Sequence, residues 1–151
     1  MTEVASEDRV VHIERLVAAT PERVFQYWTE PELFTQWMGP EGFSIPSYDH
    51  DFRPGGRWRQ TMQSPDGRLM TVRGVFRVIE PPRRLVYTWN WDDDMDAAHY
   101  ETEVTVMFEA APGGTRVKLT HQVFESRKDR DGHDRGWNST LNRLERILAP
   151  H

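Results

Sequence analysis

The sequence predicts an α+β domain. A curved antiparallel sheet of about six or seven strands wraps around one long C-terminal helix, and two short helices follow the first strand. Three observations carry this. Clusters of Pro, Gly and Asp separate stretches in which apolar and polar residues alternate: Arg53-Pro-Gly-Gly-Arg, Ser64-Pro-Asp-Gly-Arg, Pro81-Pro-Arg-Arg and Ala111-Pro-Gly-Gly. Near the end the period changes, and Trp137, Leu141, Leu144 and Leu148 fall four, three and four apart, which is a helical stripe. A helix-start signal, Thr20-Pro-Glu, lies directly behind the first alternating stretch.

Taken in order, Val11, Ile13 and Val17 share one side of a strand running from Arg9 to Val17, with His12 and Glu14 on the other. Thr20 then caps a helix, Pro21 suits its first position, and Glu22 complements its positive end. Val24, Phe25 and Trp28 form its apolar face. Thr29-Glu-Pro interrupts it, because a residue before proline is pushed out of the helical region. A second short helix presents Leu33, Phe34 and Trp37 and ends at Met38-Gly-Pro. Gly42 to Phe52 reads as extended. Trp58, Gln60 and Met62 share one face of the next strand, and Leu69 to Glu80 form a longer one. Leu85, Tyr87, Trp89 and Trp91 alternate with polar or smaller residues, then Thr102, Val104, Val106 and Phe108, then Thr115, Val117, Leu119, His121 and Val123. The closing helix is expected from about Asp131 to Leu148, its stripe buried against the concave face of the sheet.

At 151 residues without an internal repeat, the expected organisation is a loose polar tail over residues 1–8 and one domain over residues 9–151. There is no cysteine, so disulfides and thiolate chemistry are excluded. The formal charge of −5, from 24 acidic against 19 basic residues, argues against nucleic-acid binding, which needs a basic footprint. No apolar run approaches the roughly 20 residues of a membrane span. The acidic start lacks a signal peptide's apolar segment. A cytoplasmic protein is the expectation. The six Trp, seven Phe and four Tyr supply large rigid surfaces suited to walling a cavity.

Motifs for other chemistry are missing. The six His residues show no metal-ligand spacing. Asp92-Asp-Asp with Asp96 lacks the glycine and terminal glutamate of a calcium loop, and reads as a solvated loop. Neither Gly55-Gly56 nor Gly113-Gly114 precedes a helix, so neither cradles phosphate. Neither a metal nor a cofactor is expected.

Several stretches, read together, resemble a known family. They are Arg15-Leu-Val-Ala-Ala-Thr-Pro-Glu-Arg-Val-Phe, Trp28-Thr-Glu-Pro-Glu-Leu-Phe-Thr-Gln-Trp-Met-Gly-Pro, Asp51-Phe-Arg-Pro-Gly-Gly-Arg-Trp, Glu80-Pro-Pro-Arg-Arg-Leu-Val-Tyr-Thr-Trp, Gly114-Thr-Arg-Val-Lys-Leu-Thr-His, and Gly136-Trp with Leu141 and Leu144. In this order they span nearly the whole chain. The chain resembles the AHSA-like branch of the SRPBCC superfamily, the homologues of heat-shock-protein ATPase activators within the START and birch-pollen-allergen helix-grip folds. The resemblance implies a deep cavity between sheet and C-terminal helix that holds an apolar or aromatic small molecule. It also makes Arg15 a recurring position near Asp51 and Arg53, where a structural ion pair is expected.

Period-2 parity, read independently, points Trp58, Gln60, Met62, Tyr87 and Trp89 inward from the sheet, together with Val104, Val106 and His121. Trp137, Thr140, Leu141 and Leu144 point inward from the helix, and Trp37 and Phe43 sit near the mouth. These are the expected cavity residues. The leading expectation is a binding module for a hydrophobic, lipid- or polyketide-like molecule. A cyclase, dehydratase or hydrolase using the same cavity is the alternative. His121 is its only candidate acid–base group, with an unperturbed pKa near 6.5, and no catalytic constellation accompanies it. A chaperone-associated role ranks last, because such co-chaperones carry an additional N-terminal domain that the eight residues ahead of the first strand do not supply. Related helix-grip proteins also pair as homodimers, but no exposed apolar strip marks such a surface here.

Overall fold

The computed structural model describes residues 9–92, 100–124 and 126–150. The expected N-terminal tail and the acidic stretch after Asp92 lie outside the described residues. Asp92 itself receives Arg59 at 3.4 Å and pairs with Arg73 across the strands.

Seven strands form one antiparallel sheet in the order β1-β7-β6-β5-β4-β3-β2. They are β1 (Val11–Val17), β2 (Ser44–His50), β3 (Arg57–Gln63), β4 (Leu69–Glu80), β5 (Arg84–Trp91), β6 (Thr102–Ala111) and β7 (Gly114–Gln122). From β2 to β7 each strand pairs with its successor. The exception is the step from β1 to β2, which crosses from one edge of the sheet to the other through α1 (Pro21–Thr29) and α2 (Pro31–Phe34). Pro46 sits in edge strand β2, beside its register shift, where a missing N–H costs no ladder bond. A second irregularity, between Phe76 and Val78, interrupts the long β4; such bulges bend a strand and deepen its twist. The sheet curves around α3 (Arg127–Leu148), the long C-terminal helix.

Local chemistry explains the helices. Thr20 Oγ1 accepts the Arg23 N–H at 3.2 Å, and Pro21 opens α1. The backbone turns out at Glu30, ahead of Pro31. Ser126 Oγ accepts the Asp129 N–H at 3.1 Å and so caps α3. The helix therefore begins at Arg127, one turn before the expected Asp131. Arg15 corrects a second expectation. It does not meet Asp51, which pairs with Arg53 at 2.7 Å in solvent. Its guanidinium instead donates to Asn142 Oδ1 and Asn138 Oδ1, both at 2.8 Å, and pairs with Glu145. Strand β1 is thereby tied to the middle of α3. Val123 was expected inside the last strand, but β7 ends at Gln122, and Val123 turns outward with φ of 74° and 60% exposure.

Candidate functional site

Between the concave face and α3 lies a cavity of about 400 Å³. Its sheet wall is Met62, Met70, Trp89 and Trp91, and its helix wall includes Gly132, His133, Gly136, Trp137 and Thr140. Its lip is the loop after α2, through Met38, Gly39, Pro40 and Phe43. Lys128, Asp129 and Arg135 complete the rim.

The helix wall is hollow because of two glycines one turn apart. A Cβ at Gly136 would meet nothing within 4 Å, and at Gly132 it would meet only Arg135 Nη2 at 4.0 Å. Glycine inside a helix costs about 1 kcal/mol against alanine. Here it leaves open the space that a side chain would enter.

The lip is fastened to α3. Arg143 Nη1 donates to the carbonyls of Gly39 (2.9 Å), Pro40 (3.1 Å), Phe43 (3.1 Å) and Met38 (3.2 Å), and Nη2 reaches Gln36 at 3.3 Å. Ser139 Oγ accepts the Glu41 N–H at 2.9 Å, and Arg146 forms a two-pronged pair with the Glu41 carboxylate at 2.9 Å per contact. Gly39, with φ of +92°, lets the loop turn back beside Phe43 and Met62.

Two histidines orient the floor. His121 is fully buried; its Nδ1 accepts the Trp137 indole N–H at 3.0 Å. Its Nε2 therefore carries the proton and donates to Thr102 Oγ1 at 2.7 Å, and that hydroxyl donates to the Trp89 carbonyl at 2.9 Å. His133 has the opposite tautomer. Nδ1–H donates to the Asp129 carbonyl at 2.8 Å, and Nε2 accepts the Trp91 indole N–H at 2.9 Å. Burial pushes the pKa of both below the ordinary value, His121 well below, with the neighbouring His133 adding to the effect on His121. Both are neutral and each holds an indole in place. Neither has a lone pair free toward the cavity, so neither is placed to take a proton from a molecule there. Thr140 likewise directs its hydroxyl to the Gly136 carbonyl at 2.7 Å.

The expected cavity residues fall into three groups. Phe43, Met62, Trp89, Trp137 and Thr140 line the cavity. Trp58, Gln60 and Tyr87, with Trp89 again, line a separate chamber of about 10 Å³ deeper under the sheet. Tyr87 is buried there and accepts the Trp28 indole N–H at 3.2 Å; burial raises the pKa of its phenol well above the ordinary range. The remaining six, Trp37, Val104, Val106, His121, Leu141 and Leu144, are a correction: each is buried in the packed core, off both walls. Val104, Val106, His121, Leu141 and Leu144 do point inward, but other groups occupy the space in front of them, and Trp37, expected near the mouth, does not reach it. Helix α1 lies across that half of the sheet, with Phe25 and Trp28 edge-on to Phe108 at 5.3 and 5.7 Å and Trp28 stacked on Trp137 at 6.3 Å. Trp37 points into the core and donates to the Tyr27 carbonyl at 2.8 Å; its neighbour Met38 faces the cavity instead.

Sequence reasoning missed Met70, Trp91, Gly132, His133 and Gly136 as lining residues. Two signals were available. Trp91 has the parity of Trp89, and Ser126-Arg-Lys-Asp129 is a capping pattern that extends the helix by the turn carrying Gly132 and His133.

A curved antiparallel sheet gripping a long C-terminal helix around a ligand-sized cavity defines a helix-grip protein. The chain belongs to the family described as Activator of Hsp90 ATPase homolog 1-like protein, whose profile matches residues 18–149. Solved structures agree. The AHSA1 protein of Silicibacter pomeroyi is 32% identical, with a TM-score of 0.81 over 93% of this chain and 97% of that one. A Chromobacterium violaceum protein shares the fold at 22% identity, with a TM-score of 0.85 over 95% and 99% of the two chains. An Arthrobacter aurescens protein solved by NMR is similar at 24% identity and a TM-score of 0.82, over 95% and 87%. A search of curated proteins finds no match. Among the described residues no group of three or more His, Cys, Asp or Glu is placed to hold a metal ion, and no helix is long and apolar enough to cross a membrane.

Proposed function

We propose that the protein binds a hydrophobic or aromatic small molecule, lipid- or polyketide-like in character, in the cavity between the sheet and α3. The observation that carries this reading is the chemistry of the wall. Three indoles and three methionines surround a space of about 400 Å³, within the roughly 300–1,000 Å³ of small-molecule sites. The wall's polar groups at His133 and Thr140 spend their hydrogen bonds on the protein itself. What remains is apolar burial, worth roughly 25 cal/mol per Å². Methionine thioethers adapt to irregular shapes and favour aromatic partners. The family fold commonly takes hydrophobic ligands, which supports the same reading.

The test is native mass spectrometry of protein purified from its own host, with organic extraction of whatever co-purifies. A reproducible small-molecule adduct is expected, and Gly136→Leu, which fills the space in front of the glycine, should abolish it while leaving the protein folded. A bare protein mass, with no gain of affinity for apolar probes over Gly136→Leu, overturns the proposal.

A further inference from the structure

The six indoles divide into two groups. Trp28, Trp37, Trp91 and Trp137 each donate their N–H to an acceptor, at 3.2, 2.8, 2.9 and 3.0 Å. Trp58 and Trp89 do not: both N–H groups are buried without an acceptor. So are both amide atoms of Gln60, a residue with no solvent exposure. Among the described residues these are the buried side-chain nitrogens and oxygens left without a partner. All three residues line the same chamber. Unpaired buried polar groups are costly, and native structures carry few of them. A leucine at position 60 would avoid that cost on a face whose neighbours, Trp58 and Met62, are apolar. The amide is therefore a feature without a structural partner.

The chamber's chemistry selects an occupant. Gln60 offers two donor hydrogens and one acceptor and Trp89 one donor more, whereas Trp58 Nε1 lies against Gly74 of β4, so donors predominate. No charged residue lines the chamber, and an ion there would be desolvated without a counter-charge. A volume of about 10 Å³ admits one oxygen-sized group and no ring. We infer that the Gln60 chamber is an inner recognition site for a neutral carbonyl oxygen, carried at one end of the apolar molecule that fills the main cavity. This rests on the binding function proposed above. Trp89 is the common wall of the two spaces. Ring contacts with Trp58, Trp91 and Trp137 at 5.4 to 5.7 Å hold its indole. The wall between the two spaces is thus one ring that makes no side-chain hydrogen bond of its own.

Calorimetric titration with three probes of nearly equal shape tests the inference: methyl naphthyl ketone, isopropylnaphthalene and naphthoate. Apolar burial alone favours the isopropyl compound. The wild-type protein is expected to invert that order, binding the ketone about tenfold tighter than isopropylnaphthalene and naphthoate weakest. In Gln60→Leu the ketone's advantage should vanish while isopropylnaphthalene binds as before, and the free variant should be at least as stable as wild type. Equal binding of ketone and isopropyl compound by wild type, or an unchanged preference in Gln60→Leu, overturns the inference and leaves the chamber to a single water. Should Gln60→Leu and the more flexible Gln60→Met both fail to fold, the amide is structural and the inference falls. Failure of all three probes to bind wild type strikes the cavity reading itself, and this inference with it.

Discussion

His121 was the one residue whose sequence position suggested acid–base chemistry, and its surroundings give it a different task. Trp137 donates to one nitrogen and Thr102 accepts from the other, so the imidazole is a fixed spacer between helix and sheet. Its depressed pKa has a consequence for stability. Above about pH 6.5 the histidine is neutral in both the folded and unfolded chain, and the fold has its full stability. As pH falls below that value the unfolded chain takes up a proton that the buried ring refuses, so stability declines toward the folded pKa. The slope is at most about 1.4 kcal/mol per pH unit for this residue. His133 acts in the same direction. Urea denaturation at pH 7 and pH 5 should show the loss in wild type and a smaller one in His121→Gln. An equal loss in both would assign the acid sensitivity elsewhere.

At the scale of elements, the lip loop and α3 behave as one unit. One guanidinium, Arg143, serves five carbonyls of residues 36 to 43, and burial lowers its pKa. Arg143→Met keeps the aliphatic stem and removes the donors. It should cost about 1–2 kcal/mol of stability and speed hydrogen exchange of the loop amides, with faster release of bound ligand. Unchanged exchange over residues 36–43 would show that the Glu41–Arg146 pair and Ser139 suffice. The boundaries of α3 also show what is legible locally. The stripe of Trp137, Leu141 and Leu144 was readable because all three are apolar at helical spacing. The first turn was not, because Lys128-Asp129-Arg130-Asp131-Gly132 offers no apolar period, and only the Ser126 cap fixes its start.

For the whole molecule, a ligand in the cavity bridges both layers of the fold. A ligand present at about a hundred times its Kd should add about 2.7 kcal/mol, raising Tm by about 5–10 °C in a chain of this size. Scanning calorimetry with and without the ketone probe checks this, and Gly136→Leu should show no such rise. The sequence alone determined the strand and helix order, the antiparallel meander and the burial of the alternating strand residues such as Trp58, Trp89, Val104 and Val106. Those follow from turn chemistry and from the two periodicities, which act over a few residues. It did not determine which inward residues face open space. Val104, Val106, Leu141 and Leu144 share the parity of Trp89 and Trp137 yet are sealed in the core. That outcome depends on where α1 lies across the sheet, on Trp28 stacking against Trp137, and on Arg143 drawing the lip to the helix. These contacts join residues far apart in the chain. Only tertiary packing decides which side chains fill the concave face and which are left lining a cavity.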